Sequence, residues 1–486
     1  MYEGQGETPL ITALLQHCAG NYAHLHVPAH RQGRAIFPEW RGSGGPDLLS
    51  LDLTELPGLD DLSCPRGVIA RAQDLAAQLF GADRTFFLVN GSTVGLQALL
   101  LSLCRPGEEI LLPRHAHRAV LGGLVLSGAR PVFYHPAVIQ EFGVPAGPDP
   151  GAVAELLAKY PRLKGVLVLH PTYYGITGDL ERLVATAHRL DKPVVADEAH
   201  GTHFPFHREL PPPALACGTD ATVQSMHKTG GSLTQSSLLH LAGRRVDAGR
   251  VAGALGLLQT SSPSYLLMAS LDGARQQLAM RGEELLEQAL FLARQAREEL
   301  ASLPGIRVLG PEHLAGPGAC RLDPTRLVIS VRRLGLTGYQ AAYILAREYG
   351  VQVEMADYCN LVAVTGMGTT RRDCALLIRG LKEMARREGR AGRTPLPLPP
   401  PPPSTVGRLS PREAWMAPIR PVPLDRCAGE ISAEWVSISP PGIPLLYPGE
   451  EIAPETVEYL QWVKTLGAAV QGPADPGLET LRVVVG

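Results

Sequence analysis

Two stretches of the chain decide its fold, KPVVADEAH (192–200) and ATVQSMHK (221–228). Each is a short run of apolar and β-branched residues that ends in polar or charged side chains. The first delivers Asp197 and the second delivers Lys228. Runs of this kind are typical of strands buried in a parallel sheet, whose functional residues lie at the carboxyl ends of the strands.

The sequence on the N-terminal side repeats this pattern of buried strand and helix. VIARAQDLAAQLFG (68–81) has the period of an amphipathic helix and ends at a glycine. Further strands are predicted at TFFLV (85–89), EEILL (108–112), RPVFY (130–134) and GVLVLH (165–170), with helical stretches between them. The alternation predicts an α/β fold whose sheet is mainly parallel and is covered by helices on both faces.

The remaining chain predicts several domains. A long helical pattern (282–303) leads into a smaller α/β pattern, and the proline run TPLPLPPPPPS (394–404) then has the composition of an extended linker. We therefore expect five parts, which are an N-terminal arm (1–60), a large domain (61–275), a small α/β domain (276–393), the Pro-rich linker (394–404) and a C-terminal domain (405–486).

Composition excludes several classes of function. The 486 residues are 45% hydrophobic and 19% charged, with a formal net charge of −2, so no basic excess predicts nucleic-acid or membrane binding. The N-terminus has no signal-peptide pattern, and no apolar run is long enough to span a membrane. The eight cysteines are scattered singly, which predicts neither a disulfide framework nor a metal site. We expect a cytoplasmic protein.

Lys228 is the first candidate for chemistry. The chain has only six lysines, and Lys228 stands out because it follows a buried strand and lies beside Ser225 and His227. Surface lysines usually lie on solvated helix faces, whereas a lysine in this setting is placed like one that forms a Schiff base. A pyridoxal-phosphate (PLP) site is the hypothesis that this placement suggests.

Three other elements fit that hypothesis, although each has a plainer interpretation. Asp197 is suited to pair with the pyridine nitrogen of PLP, but a strand-end aspartate is more often a cap or a salt-bridge partner. The turn Asn90–Thr93 could hold a phosphate at a helix start, although such caps are common without any ligand. His117 would lie at the end of a neighbouring strand, where an imidazole could stack on the ring.

Together these elements resemble the fold type I PLP enzymes and, more narrowly, the Orn/Lys/Arg decarboxylase family in its short bacterial form. The resemblance rests on motifs in the family's order, namely HVPAHRQG, NGSTVG, PRHAHRA, HPTYYGITGDL, DEAHGTHF, SMHKT, LQTSSPSYLLMASLD, SPREAWMAP and PPGIPLLYPGE. It spans nearly the whole chain. It implies an aspartate-aminotransferase-like large domain, a smaller α/β domain and a small C-terminal domain.

The resemblance also implies roles for individual residues. Lys228 would carry PLP as a Schiff base, Asp197 would pair with the pyridine nitrogen, and His117 would stack on one face of the ring. His200 would help to orient cofactor or substrate. The residues expected to complete the cofactor site are Gly91, Ser92, Thr93, Ala199, Ser225 and His227.

The sequence departs from the family at two points. It lacks the N-terminal response-regulator-like domain of the large inducible members, so their higher-order assembly is not assumed. The loop before His117 reads Pro-Arg-His-Ala, where Asp-Arg-Asn-Cys is commoner. That difference leaves the stacking role intact but leaves the contacts beside it open.

The activity implied is PLP-dependent decarboxylation of a basic L-amino acid. Arginine is expected first, then lysine or ornithine, giving agmatine, cadaverine or putrescine with CO2. The alternatives are another PLP reaction on this fold, such as that of an aminotransferase or another lyase, and a non-catalytic regulatory homologue.

The distal group of such a substrate needs a carboxylate partner. The candidates are Glu55, Asp60, Asp61, Glu354, Asp357, Glu413 and Glu434. Because fold type I sites are usually built across a two-fold interface, a homodimer is expected. Residues 26–34 and 259–265 are expected to contribute to the partner's site.

Overall fold

A computed structural model describes residues 4–37, 48–391, 394–400, 403, 405–439, 442–466 and 468–485. Parts of the predicted arm, of the Pro-rich linker and of the PPGIPLLYPGE motif therefore lie outside the described residues. The described residues form two compact units. The first is drawn from Met1–Ser102, Val195–Arg208 and Pro212–Leu285, and the second from Leu103–Val194, Glu209–Pro211 and Leu286–Gly486.

The α-helices of the described residues alternate with strands through the first half of the chain. They are α1 (Pro9–Ala19), α2 (Val68–Phe80), α3 (Gly91–Leu103), α4 (Arg118–Ser127), α5 (Pro150–Lys159), α6 (Leu180–Arg189), α7 (Met226–Thr229), α8 (Ala248–Leu258), α9 (Tyr265–Ala301), α10 (Gly338–Tyr349), α11 (Arg371–Ala391), α12 (Pro411–Met416) and α13 (Pro454–Thr465).

The β-strands are short and most are buried. They are β1 (Arg84–Leu88), β2 (Glu109–Pro113), β3 (Arg130–Tyr134), β4 (Val138–Ile139), β5 (Val144–Pro145), β6 (Val166–Leu169), β7 (Ile176–Thr177), β8 (Val194–Asp197), β9 (Ala221–Gln224), β10 (Ser237–Leu241), β11 (Arg307–Val308), β12 (Arg321–Leu322), β13 (Arg326–Ser330), β14 (Met355–Ala356), β15 (Asn360–Val364), β16 (Val406–Gly407), β17 (Ile419–Pro423), β18 (Val436–Ser439), β19 (Ile443–Leu446), β20 (Glu450–Glu451), β21 (Ala469–Gln471) and β22 (Thr480–Val484).

In the first unit, β8 and β9 pair in parallel, with Asp197 opposite Val223. β10 then pairs antiparallel with both β9 and β1. The sequence did not predict β10, and its direction follows from the connection before it. A parallel crossover is usually built on an α-helix, and α7, the helix between β9 and β10, has only four residues.

The second unit contains the other parallel pairs. β2 pairs in parallel with β3 and with β6, so these three strands run in one direction. The loop that carries His117 follows β2. A separate antiparallel sheet has the order β11-β13-β15-β14. It packs with α10 and α11 around buried residues such as Leu327, Leu345 and Leu381. The predicted α/β fold with mainly parallel pairing and a smaller α/β part is confirmed.

The C-terminal residues of the second unit form their own small β-rich core. β17 pairs with β22, and β18 pairs with β19 and β21, all antiparallel. Leu446, Leu460 and Leu481 are fully buried in the cluster that these elements enclose with α13. The domain boundaries predicted from the sequence stay predictions.

Two predicted elements differ from the structure. The strand predicted over 221–228 ends at Gln224, and the chain turns into α7, so Lys228 belongs to a helical turn rather than to a strand. The long helix predicted from Gly282 begins at Tyr265 instead. Gly282 does not start the helix but gives room within it, because a Cβ there would approach Cβ of Phe206 to 3.1 Å.

Candidate active site

Asp197 is the last residue of β8, and its side chain is buried. Its Oδ1 accepts a hydrogen bond from the backbone N–H of Ala199 over 3.2 Å. Burial raises the pKa of Asp197, because the charged carboxylate loses solvation, while the positive charge of Lys228 and the Ala199 N–H act in the opposite direction. The site thus has a buried carboxylate that gains from a nearby positive charge.

Lys228 lies in α7, directly after β9. Its backbone N–H donates to the carbonyl of Ser225 over 3.0 Å, which fixes the turn. Its Nζ lies 3.1 Å from Nε2 of His200. Because parallel strands end at one edge of the sheet, the ends of β8 and β9 bring Asp197, His200 and Lys228 into one region of the first unit.

The turn predicted to hold a phosphate is formed where α3 begins. Gly91 has a φ of +74°, a left-handed conformation that favours glycine. Ser92 and Thr93 follow in the first turn of α3, where backbone N–H groups have no partner within the helix. The hydroxyl of Ser225 donates to Oγ of Ser92 over 2.9 Å. The two serines predicted for the phosphate are therefore neighbours.

His227 is the third polar residue of this group. Its Nδ1 lies 3.0 Å from the carbonyl oxygen of Ser236, which can only accept, so Nδ1 carries the proton. A contact from Nε2 to a phosphate oxygen would consequently require the protonated imidazolium form.

Sequence reasoning missed a buried chain of polar groups that begins at Glu198. The carboxylate accepts from the side-chain amide of Gln224 over 2.7 Å and from the backbone N–H of Ala214 over 2.7 Å. Gln224 Oε1 lies 3.1 Å from His240 Nε2, and His240 Nδ1 lies 2.7 Å from the Thr85 hydroxyl. The only signal in the sequence is an acidic residue following Asp197 at the end of a buried strand.

The direction of the hydrogen bonds in this chain follows from the amide of Gln224. Gln224 turns its amide nitrogen to a carboxyl oxygen of Glu198 and its own oxygen to His240. His240 then donates from Nε2 and accepts at Nδ1. Burial lowers the pKa of His240 to about 3 and raises the pKa of Glu198 to about 8. The imidazole is therefore neutral.

His117 belongs to the second unit, where it is the N-cap of α4. Its Nδ1 accepts from the backbone N–H of Ala119 over 3.2 Å. His115, two residues earlier, is buried, and neither ring nitrogen has a hydrogen-bond partner among the described residues. Burial lowers the pKa of His115 to about 3, and His135 adds to the effect. This loop thus presents two imidazoles, of which His115 is neutral.

Five of the seven candidate carboxylates hold backbone groups of their own chain. Asp60 accepts from Gly67 and Ile69, and Glu413 belongs to the capping box of α12. Asp357 accepts from the amides of residues 359 and 360, and Glu434 from those of residues 474 and 482. Asp61 accepts from the backbone N–H and the hydroxyl of Ser63 over 2.7 and 2.8 Å. These contacts give each of the five a structural role.

Two of the seven candidates share a cavity. Glu55 and Asp61 line a space of about 240 Å³ in the first unit, together with Gln259 and Thr260. Glu354 lines a different space in the second unit.

The residues present fit PLP in the chemistry of their groups. The first unit supplies a buried carboxylate, an amine, two adjacent hydroxyls and a helix N-terminus, which are the groups that a pyridine nitrogen, an aldehyde and a phosphate require.

Among the described residues, no group of His, Cys, Asp and Glu is arranged to hold a metal ion. The helices of the described residues include none with the length and hydropathy needed to cross a bilayer.

Comparison with family models gives two matches. Residues 8–373 match the Orn/Lys/Arg decarboxylase major domain, and residues 406–480 match the C-terminal domain of the same family. The chain belongs to the Orn/Lys/Arg decarboxylase family. The family predicted from the motifs is therefore confirmed, as is the prediction of an amino-acid decarboxylase.

This decarboxylase is similar in sequence to known relatives and similar in fold to solved structures. It is 40% identical to the arginine decarboxylase of Bacillus subtilis over 484 residues, which cover 99% of this chain and 98% of that one. Its fold matches the constitutive lysine decarboxylase of Escherichia coli with a TM-score of 0.83 at 20% identity, over 99% of this chain and 82% of that one. Part of the fold also matches the serine palmitoyltransferase of Sphingomonas wittichii, with a TM-score of 0.52 at 16% identity over 66% of this chain and 77% of that one.

Proposed function

We propose that this decarboxylase binds PLP through Lys228 and converts L-arginine to agmatine and CO2. L-Lysine is the second candidate substrate and L-ornithine the third. The observation that carries the proposal is the grouping of Asp197, Lys228 and the Ser225–Ser92 pair within one unit. The likeness at 40% identity to an arginine decarboxylase over nearly the whole chain supports the choice of substrate.

The cofactor would be held at three points. Asp197 would hold a proton at the pyridine nitrogen, since a buried carboxylate is stabilised by an adjacent positive charge. Gly91, Ser92, Thr93 and Ser225, with His227 when protonated, would hold the phosphate. By the family resemblance, His117 is assigned to one face of the ring and Ala199 to the other.

When bound, PLP draws electrons from the α carbon of an attached amino acid, which is the chemistry that allows the carboxylate to leave as CO2. The residues of the chain then have to orient the substrate and protonate its α carbon. In that reaction the Nζ of Lys228 would give a proton to the α carbon. His200 supports that transfer because its Nε2 lies 3.1 Å from Nζ.

The distal group of the substrate requires a carboxylate, and a guanidinium favours a bidentate one. Glu55 and Asp61 are the candidates that we retain first, because both line the same cavity. Glu354 is retained second.

We further propose a cytoplasmic homodimer in which residues 26–34 and 259–265 reach the partner's site. Leu25 and Val27 are 90% and 66% exposed, which a contact with a partner chain would relieve. Sizing at assay concentration tests the dimer, and an active monomer would contradict it.

A substrate panel tests the proposed reaction. Purified, PLP-loaded protein is offered L-Arg, L-Lys and L-Orn, and both CO2 and the amine product are measured. Lys228→Ala is run alongside as the control. We expect equal amounts of agmatine and CO2 from L-Arg and none from the variant. Visible absorption of lysine-bound PLP with no CO2 from any substrate would refute decarboxylation of these amino acids and favour another PLP reaction.

A further inference from the structure

Arg114 connects the loop before α4 to the C-terminal segment of the second unit, by which we mean the described residues from 405 onward. It is the first residue after β2, and its backbone N–H donates to the carbonyl of Tyr134 over 2.9 Å. Its guanidinium donates to the carbonyls of Pro444 and Leu445 over 3.1 and 2.7 Å. It also forms an ion pair of 3.1 Å with Glu450.

This ion pair is enclosed. The side chains of Arg114 and Glu450 are only 11% and 5% exposed. The guanidinium carbon lies 5.0 Å from the ring centre of Phe133 and 4.8 Å from that of Tyr447, so an aromatic ring from each segment contacts it. In this setting the geometry of the guanidinium is tightly defined, because a displaced arginine would leave a buried charge without its partner.

The carboxylate is held as firmly as the guanidinium. Glu450 accepts from the hydroxyl of Thr405 over 2.6 Å and from the backbone N–H of Tyr447 over 2.7 Å. Arg114 is therefore fixed by residues of the C-terminal segment that are themselves fixed.

The backbone beyond Arg114 has little freedom. The backbone N–H of Ala116 donates to the carbonyl of Pro113 over 3.0 Å, and the backbone N–H of Val120 donates to the carbonyl of His117 over 2.9 Å. His117 also caps α4 through its ring. A shift of Arg114 would thus be passed to His115 and His117 rather than absorbed by a slack loop.

We propose that Arg114 is a positioning residue through which the C-terminal segment fixes the loop that carries His115 and His117. The inference rests on the proposed function, in which His117 stacks on the cofactor ring. The C-terminal segment then contributes to cofactor binding without touching the cofactor, and Arg114–Glu450 is the connection that transmits its position.

A second, more exposed connection between the same segments provides a control. Arg130, at the opposite end of β3, forms an ion pair of 3.4 Å with Glu413 of α12. This pair also joins the C-terminal segment to the sheet, but it lies away from the 114–117 loop. We expect loss of Arg130 to weaken the attachment of the segment without acting on the loop, because Arg130 lies opposite Glu109 at the far end of β2.

The test compares Arg114→Gln and Glu450→Gln with Arg130→Gln in the full chain. The first readout is hydrogen exchange of the amides of residues 116–120 in cofactor-free protein. The second is PLP affinity, from the visible absorption of the lysine-bound cofactor. We expect Arg114→Gln and Glu450→Gln to exchange faster at these amides. Both should bind PLP up to about ten-fold more weakly, since misplacing the His117 ring cannot cost more than its stacking contact contributes. Arg130→Gln should change neither.

Glu450→Gln keeps the shape of the side chain, so it serves if Arg114→Gln does not fold. The inference is overturned if loop exchange and PLP affinity stay at wild-type values in the loop variants, or if Arg130→Gln changes them equally. If wild-type protein binds no PLP, the proposed function fails instead, and the exchange data still decide whether Arg114 orders the loop.

Discussion

The side chains of Lys228 and His200 meet, with Nζ of the lysine 3.1 Å from Nε2 of the histidine. The two residues are supplied by different elements, since His200 follows β8 and Lys228 lies in α7 after β9. An amine that must accept a cofactor and later move a proton therefore has a second titratable group within hydrogen-bond distance. This contact gives the first prediction.

His200→Asn should lower kcat by about 100-fold, the lower end of the range for a residue assisting proton transfer. The visible absorption of lysine-bound PLP should persist, because Lys228 is still present. Steady-state kinetics and absorption spectra of the variant check both points. His188→Asn on α6 is the control for histidine loss, and equal kcat values for the wild type and His200→Asn would exclude the assisting role.

His117 has two separable contributions, its hydrogen bond at the start of α4 and its aromatic ring. His117→Asn keeps a capping side chain but removes the ring, so PLP affinity should fall about three- to ten-fold, the worth of a stacking contact. His117→Phe keeps a ring and loses the cap, at a cost in stability of about 1 kcal/mol. Titration with PLP and thermal unfolding separate the two effects. Wild-type PLP affinity in His117→Asn would contradict the stacking role.

Glu198 makes stability depend on pH. Burial raises its pKa from 4.5 to about 8, so the folded protein binds this proton more tightly than the unfolded chain. Its contribution is therefore fully present below about pH 4.5 and is lost as the pH rises towards 8, by up to about 1.4 kcal/mol per pH unit. In Glu198→Gln that part of the slope should disappear.

Urea unfolding of both proteins from pH 5 to pH 8 measures the difference. Glu299→Gln, at an exposed position, is the control. The glutamine variant should still fold, because the hydrogen-bond chain through Gln224 and His240 can reverse its direction from end to end. Parallel stability curves for the wild type and Glu198→Gln would show that Glu198 is not the group responsible.

Arg275 and Asp272 form a fully buried ion pair of 2.8 Å on α9. Arg275 also donates to the backbone carbonyl of Gln5 over 2.6 Å, while Asp272 accepts from the N–H of Leu10 over 3.0 Å, so the pair secures the N-terminal residues. Arg275→Met should cost about 3–5 kcal/mol, because it leaves a buried carboxylate without its partner.

Adding Asp272→Leu to Arg275→Met should recover part of that loss, since no charge then remains buried. Chemical unfolding of the two single variants and the double variant gives the coupling energy. A double variant whose losses simply add would indicate that the two charges contribute independently.

Much of the fold could be predicted because local pattern and burial agree along the first half of the chain. The helix predicted over 68–81 is α2 and ends at Gly81 in the left-handed conformation. The strand predicted over 130–134 is β3 to the residue. The structure of such segments can be predicted from local features, namely their periodicity and the residues that end them.

Other features were not visible because they depend on contacts between distant residues. The local pattern predicts that a helix starts at Gly282, yet α9 continues through this residue, which packs against Phe206. The bond between Ser225 and Ser92 joins residues that are 133 positions apart. Nothing local in either segment encodes that pairing, which arises when strand order brings β9 and the start of α3 together.

The sequence by itself determined which chemical groups the protein has and which family it belongs to. Lys228, Asp197 and the Asn90–Thr93 turn are recognisable because a cofactor site requires these groups at strand ends and helix starts. Only the tertiary structure decided how those groups are held. The polar chain from Glu198 to Thr85 and the Arg114–Glu450 pair consist of ordinary polar residues, and their importance comes from burial, where an unpaired charge or hydrogen-bonding group is costly. Burial is a property of the folded chain and not of any segment of it.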